Sequence, residues 1–157
     1  MKDLNLIESA KETVKDLMKH NDPSHDWYHV ERVWKNAKYI AEQETILNKE
    51  LDFDMEIVEL AALFHDIVDF KYEHDKNRDL KDIAFERLSP FFTKNSYPLD
   101  KIEKIIYIIL NISWRKELEQ REKLIVDIPF ELKIVRDSDR LDAIGAIGIA
   151  RFSIYSS

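Results

Sequence analysis

The sequence contains no cysteine, which excludes a disulfide scaffold, a thiolate metal site and a cysteine nucleophile. A metal site here must use imidazole and carboxylate. Turn residues are scarce, with only two glycines and four prolines, whereas a sheet protein of this size needs many more. Long apolar runs are missing too: Ile105 to Leu110 is far too short to cross a bilayer. The N-terminus opens with Lys2 and Asp3 and has no apolar signal core, so the expectation is a cytoplasmic protein without a membrane partner. Positive charge is in deficit. A net charge of −7 argues against a nucleic-acid partner, but not against a small anionic substrate held by a metal and a few Lys or Arg residues.

What is present reads as one helical domain over residues 1–157. Apolar residues make up 45% and charged residues 35%, which suits a globular chain able to bury a core. Ile7, Ala10, Val14, Leu17 and Met18 step by three and four, as one face of a helix does. Val30, Val33, Trp34, Ala37, Ile40 and Ala41 repeat the pattern, entered through the cap-type run Asp22-Pro23-Ser24-His25-Asp26. From Ile57 through Val68 the chain is apolar nearly all round, which predicts a buried central helix containing His65 and Asp66. A weaker helix is expected over Leu80 to Leu88, ending before Ser89-Pro90. Another is expected from Asp100 as N-cap, with Glu103 three residues on. Arg115 to Lys123 is a polar stretch and reads as an exposed loop or frayed helix. After Pro129 the pattern resumes with Leu132, Val135, Leu141 and Ile144. The fold class is all-α, a compact bundle around the central helix.

The residues that carry chemistry fall in three segments. A buried carboxylate is costly unless it is paired, neutralised or bound to a metal, so His65-Asp66 stands out. Neighbouring helix positions point about 100° apart and can clasp one ion, given further ligands from elsewhere. Asp69 follows at i+4 from His65 and i+3 from Asp66, on their face. A buried ion pair beside a solvated Asp69 is the other reading. His25 and His29, at i and i+4, open the second helix, His25 as a capping or surface group and His29 able to face a neighbouring helix. Asp137-Ser138-Asp139-Arg140-Leu141-Asp142 sets three carboxylates in six residues before an apolar helix. Alone, it reads as an acidic helix N-terminus favoured by the dipole.

Together, His29, His65-Asp66 and Asp139 resemble the ligand order of the HD-domain superfamily of metal-dependent phosphohydrolases. The segments Ser24 to Val33, Phe64 to Asp69 and Asp137 to Arg151 look like its small YedJ-like stand-alone branch. Asp137, Asp139 and Asp142 could each supply the last ligand by position. The triplet Asp139-Arg140-Leu141 is similar to the one that supplies it in (p)ppGpp hydrolase HD domains, and this selects Asp139. The same relatives place an acidic residue where this chain has Asp69.

The resemblance implies a metal-dependent phosphohydrolase, acting on a nucleotide. YedJ-like relatives include hydrolases that cleave nucleoside triphosphates, often deoxy forms, to the monophosphate and pyrophosphate. Four ligands leave positions open on a six-coordinate ion for a water and a phosphate oxygen, and Asp69 is the expected base. Lys71, His74, Arg140 and Arg32 are the candidate phosphate partners, or else solvated charges. Mixed imidazole and carboxylate ligands suit Mn, Fe, Co, Ni or Zn, with Mg also admitted; the resemblance favours Mn. YedJ-like proteins continue well beyond Ser157, so the chain is expected to be short at its C-terminus relative to the family. Apolar Ile147, Ile149 and Phe152 then lead to the expectation of a two-fold homodimer. The alternative function is a catalytically weak HD domain that binds metal and nucleotide as a sensor or interaction module.

Overall fold

In the computed structural model, described for residues 2–19, 26–68, 77–124 and 127–145, the chain is all-α, with no strand among the described residues. Among the described residues seven helices follow in order: α1 (Lys2–Leu17), α2 (Trp27–Leu47), α3 (Met55–Phe64), α4 (Leu80–Lys94), α5 (Leu99–Leu110), α6 (Trp114–Glu122) and α7 (Phe130–Ile144). The central helix is α3. Every residue from Leu60 to Phe64 is fully buried, and α1, α2, α5 and α7 pack around it. None of these helices is long and apolar enough to cross a membrane.

Local chemistry explains the starts of the helices that bring residues to the site. Asp26 caps α2 by accepting the His29 N–H at 3.0 Å. Asp54 caps α3 through the N–H groups of Glu56 and Ile57. Each bond satisfies a donor that a helix start leaves open. The Asp54 N–H in turn donates to the buried Glu131 at 2.9 Å, pinning the start of α3 to α7.

Several boundaries differ from the periodicity. The central helix stops at Phe64 rather than running to Val68, so His65 is its C-cap and Asp66 lies in the following turn. The His65 ring donates to the Ala62 carbonyl at 2.6 Å, the acceptor that the next helical bond, from the Asp66 N–H, would use. The Ile67 N–H closes instead on the Phe64 carbonyl, and Arg87 of α4 takes the Ile67 carbonyl at 2.5 Å.

Helix α4 does not end at Leu88 but continues through Pro90 to Lys94. Pro90 is exposed, so the carbonyl it leaves unpaired on that face can be hydrated. Continuation places Phe91 and Phe92 in the core, where both pack edge-on against Phe64. Helix α5 starts two residues earlier than read, with Pro98 rather than Asp100 as N-cap and Asp100 in the first turn.

The polar stretch 115–123 is largely a regular helix. Ser113 caps it, and Arg121–Glu117 and Arg115–Glu119 pair along it at i,i+4. Asp137 to Asp142 lie in the second half of α7, not at a helix start. His25, Asp69, Lys71, His74, Ile147, Ile149 and Phe152 lie outside the described residues.

Candidate metal centre

Four side chains from α2, the end of α3 and α7 converge at one point. His29 stands in the first turn of α2 and is 1% exposed; His65, at the end of α3, is 5% exposed. Their Nε2 atoms are 3.2 Å apart. Asp66 Oδ2 lies 3.3 Å from His29 Nε2, and Asp66 Oδ1 lies 3.4 Å from His65 Nε2. Asp139 Oδ1 is 3.2 Å from His29 Nε2 and 3.5 Å from His65 Nε2. Ligand atoms of His29, His65 and Asp66 all fall within 4.8 Å of one another.

Hydrogen bonds on the far sides of the rings set their tautomers. His65 Nδ1 faces a backbone carbonyl, which can only accept, so Nδ1 carries the proton. His29 Nδ1 lies 2.7 Å from Oδ2 of Asp142, a carboxylate, and is likewise the donor. In the neutral rings both Nε2 lone pairs therefore point at the same space, which is stable only with a cation or proton there. With the Asp66 and Asp139 carboxylates this is a donor set of two imidazole nitrogens and carboxylate oxygens, suited to a first-row divalent ion.

The spacing fits such an ion. Donors about 2.1 Å from one centre are ~3.0 Å apart at right angles and ~3.4 Å apart at tetrahedral angles. The Nε2–Nε2 edge, the edges to Asp66, one through each of its oxygens, and the edges to Asp139 Oδ1 are close to this size, and His29, His65 and Asp66 form the tightest part of the set.

The electrostatics agree. Burial lowers the pKa of His29, but the hydrogen bonds and charges of Asp139 and Asp66 outweigh it and hold the ring up at about 9. His65 is also raised, its burial overcome by Asp66 and Asp139. Asp139 moves the other way: burial would raise it, but its bonds to His29 and His65 hold it well below the usual carboxylate range. The cluster thus favours positive charge at its centre.

Of the remaining candidates, Arg32 is turned to Asp142, with Nε on Oδ1 at 2.6 Å and Nη2 on Oδ2 at 3.3 Å. Arg140 pairs with Glu117 of α6, its guanidinium carbon 5.1 Å from the centre of the Trp114 ring. Asp142 was not singled out from sequence as a functional residue. The signal was there in the spacing, since His29 and Arg32 stand at i,i+3 on one helix and Asp139 and Asp142 at i,i+3 on another.

The family model of the HD domain matches residues 26–144. The chain belongs to the HD domain family. This HD domain is 35% identical over 157 residues to YpgQ of Bacillus subtilis, covering 99% of the chain and 69% of that protein. It resembles the crystal structure of the Lin1889 protein from Listeria innocua, with a TM-score of 0.67 and 36% identity over 99% of the chain. It also resembles YpgQ solved in complex with ADP, with a TM-score of 0.70 and 31% identity over 99% of the chain. It spans 65% of the Lin1889 chain and 68% of that YpgQ chain.

Proposed function

We propose that this HD domain is a metal-dependent phosphohydrolase that cleaves nucleoside or deoxynucleoside triphosphates to the monophosphate and pyrophosphate. The observation that carries the reading is the convergence of His29, His65, Asp66 and Asp139 with both imidazole Nε2 atoms turned inward. In this reading these four hold a divalent ion, with Mn favoured. Bound there, the ion lowers the pKa of water and neutralises charge on the phosphoryl oxygens. The nucleotide class is supported by the relative YpgQ, solved with ADP.

In the reaction, water oxygen bonds to the α-phosphorus as the bridging oxygen to the β-phosphorus departs with pyrophosphate, and the water gives up a proton. Asp69, three residues after Asp66, is the proposed acceptor of that proton at a carboxylate oxygen. Lys71 and His74, in the same segment, are proposed to meet the phosphates. Leu141 and Ile144, 50% and 75% exposed, leave apolar surface on the last turn of α7 and support a two-fold dimer, which light scattering checks.

One observation favours a second reading, a domain that holds metal and nucleotide without turnover. Arg32 and Arg140 are both engaged with carboxylates, so neither is set aside for a phosphate. A screen of nucleoside and deoxynucleoside triphosphates with Mn, following phosphate and pyrophosphate separately, decides. Pyrophosphate with monophosphate supports hydrolysis at the α-phosphorus. Phosphate with diphosphate places attack at the γ-phosphorus, and binding without product supports the second reading.

A further inference from the structure

The two histidines are held in different ways, for a reason set by where each stands on its helix. The end of a helix leaves carbonyl acceptors free, and its start leaves only N–H donors free. His65, at the end of α3, finds an acceptor for its Nδ1 proton in its own helix, the Ala62 carbonyl. His29, in the first turn of α2, has no such carbonyl, and its acceptor comes from α7, 113 residues away in sequence. That acceptor is the buried carboxylate of Asp142, 6% exposed, which Arg32 of α2 grips through two nitrogens. A buried carboxylate on one imidazole alone would be costly. Arg32 supplies the compensating charge and fixes the carboxylate plane.

We infer that Asp142, backed by Arg32, is a positioning residue for His29: it accepts the Nδ1 proton, holds the ring in one tautomer and plane, and keeps Nε2 directed at the metal centre. The inference rests on the metal-binding reading above. It gives Arg32 a role distinct from that of a phosphate partner. A histidine χ2 well is broad, so without this bond the His29 ring is free to turn its Nε2 away. Partners of this kind behind a metal-binding histidine typically affect metal affinity by about 10–100-fold.

The test uses the full chain as wild type, Asp142→Asn, Asp142→Ala, Arg32→Met and the double variant Asp142→Ala with Arg32→Met. Mn affinity is measured by calorimetry, melting is measured without metal, and the His29 Nδ1 proton is sought downfield in the NMR spectrum of metal-free protein. The expected result for Asp142→Ala is an affinity lower by about 10–100-fold, with the downfield proton lost. Asp142→Asn can present either its oxygen or its amide to Nδ1, which keeps packing while weakening the tautomer preference, and it lowers affinity in the same direction. Because Arg32 acts through Asp142, the double variant falls no further than Asp142→Ala alone.

Losses that add in the double variant, or lower metal-free melting with unchanged affinity and an intact downfield proton, overturn the inference. So does a Michaelis constant that rises in Arg32→Met with Mn affinity unchanged, which makes Arg32 a phosphate contact. If wild type binds no Mn, the metal reading fails. The downfield proton and its loss in Asp142→Ala then still report whether Asp142 orients His29.

Discussion

Asp139 Oδ1 sits 3.2 Å from His29 Nε2 and 3.5 Å from His65 Nε2, so one carboxylate of α7 spans the ends of two other helices. A site of this kind exists only when all three segments are docked.

Metal should therefore stabilise the fold. At a free concentration about 100 times its dissociation constant, an ion adds about 2.7 kcal/mol, or roughly 5–10 °C for a domain of this size. His65→Ala and Asp66→Ala should abolish that rise, and elemental analysis should find them empty. Variants that keep full metal occupancy would show that the ligands lie elsewhere.

Asp69→Asn separates proton transfer from metal holding. The amide keeps size and hydrogen bonding but cannot accept the proton, so the rate should fall by about 10²–10⁴ with metal content unchanged. Initial rate and metal content are measured on one preparation. An unchanged rate at full occupancy removes Asp69 from the reaction, and loss of both marks it as a ligand or structural residue.

Acid should act through Glu117. Burial would raise its carboxyl, but the hydrogen bond and charge of Arg140, with Arg121 and Arg136 nearby, hold it below its ordinary 4.5. A depressed carboxylate contributes stability that is present above its unfolded pKa and is lost as pH falls through the folded value. Wild type should thus melt above Glu117→Gln at about pH 6, and the gap should close as pH drops below about 4.5. A gap independent of pH would mean that the ion pair contributes nothing.

Phe64 links the core to the site, since His65 follows it directly. Its ring lies 5.1 Å from that of Phe91 and 6.2 Å from that of Phe92, and it is fully buried. Phe64→Ala should cost about 3–5 kcal/mol, read by urea denaturation. A cost below about 1 kcal/mol would show that the three-ring cluster repacks freely.

These particulars also show what sequence reading reaches. The all-α class followed from scarce turn residues and repeated apolar spacing, and His29, His65, Asp66 and Asp139 were legible because their order resembles a known one. Boundaries were less legible where a tertiary contact outweighed a local rule. Pro90 reads as a stop, yet burial of Phe91 and Phe92 carries α4 past it. The end of α3 depends on a ring-to-carbonyl bond that no periodicity encodes. Helix α6 was obscured because it lacks an apolar stripe and is laced by ion pairs instead. Asp142 was hidden in plain view as one of three acidic residues, since the i,i+3 spacings leave open which of them meets Nδ1 of His29 until α2 is packed on α7.

The position of the acidic residues on α7 has a consequence for motion. Of Asp137, Asp139 and Asp142, the last lies in the final turn of α7, where the open carbonyls carry negative charge and the macrodipole opposes it. Left to itself this end would unwind first, and what opposes that is the grip of His29 and Arg32. We expect the last turns of α7 to act as a latch whose hold depends on the balance of charge among His29, Arg32 and Asp142. Amide protons near Ile144 should exchange slowly when that charge is balanced and open to solvent ahead of the rest of the bundle when it is not.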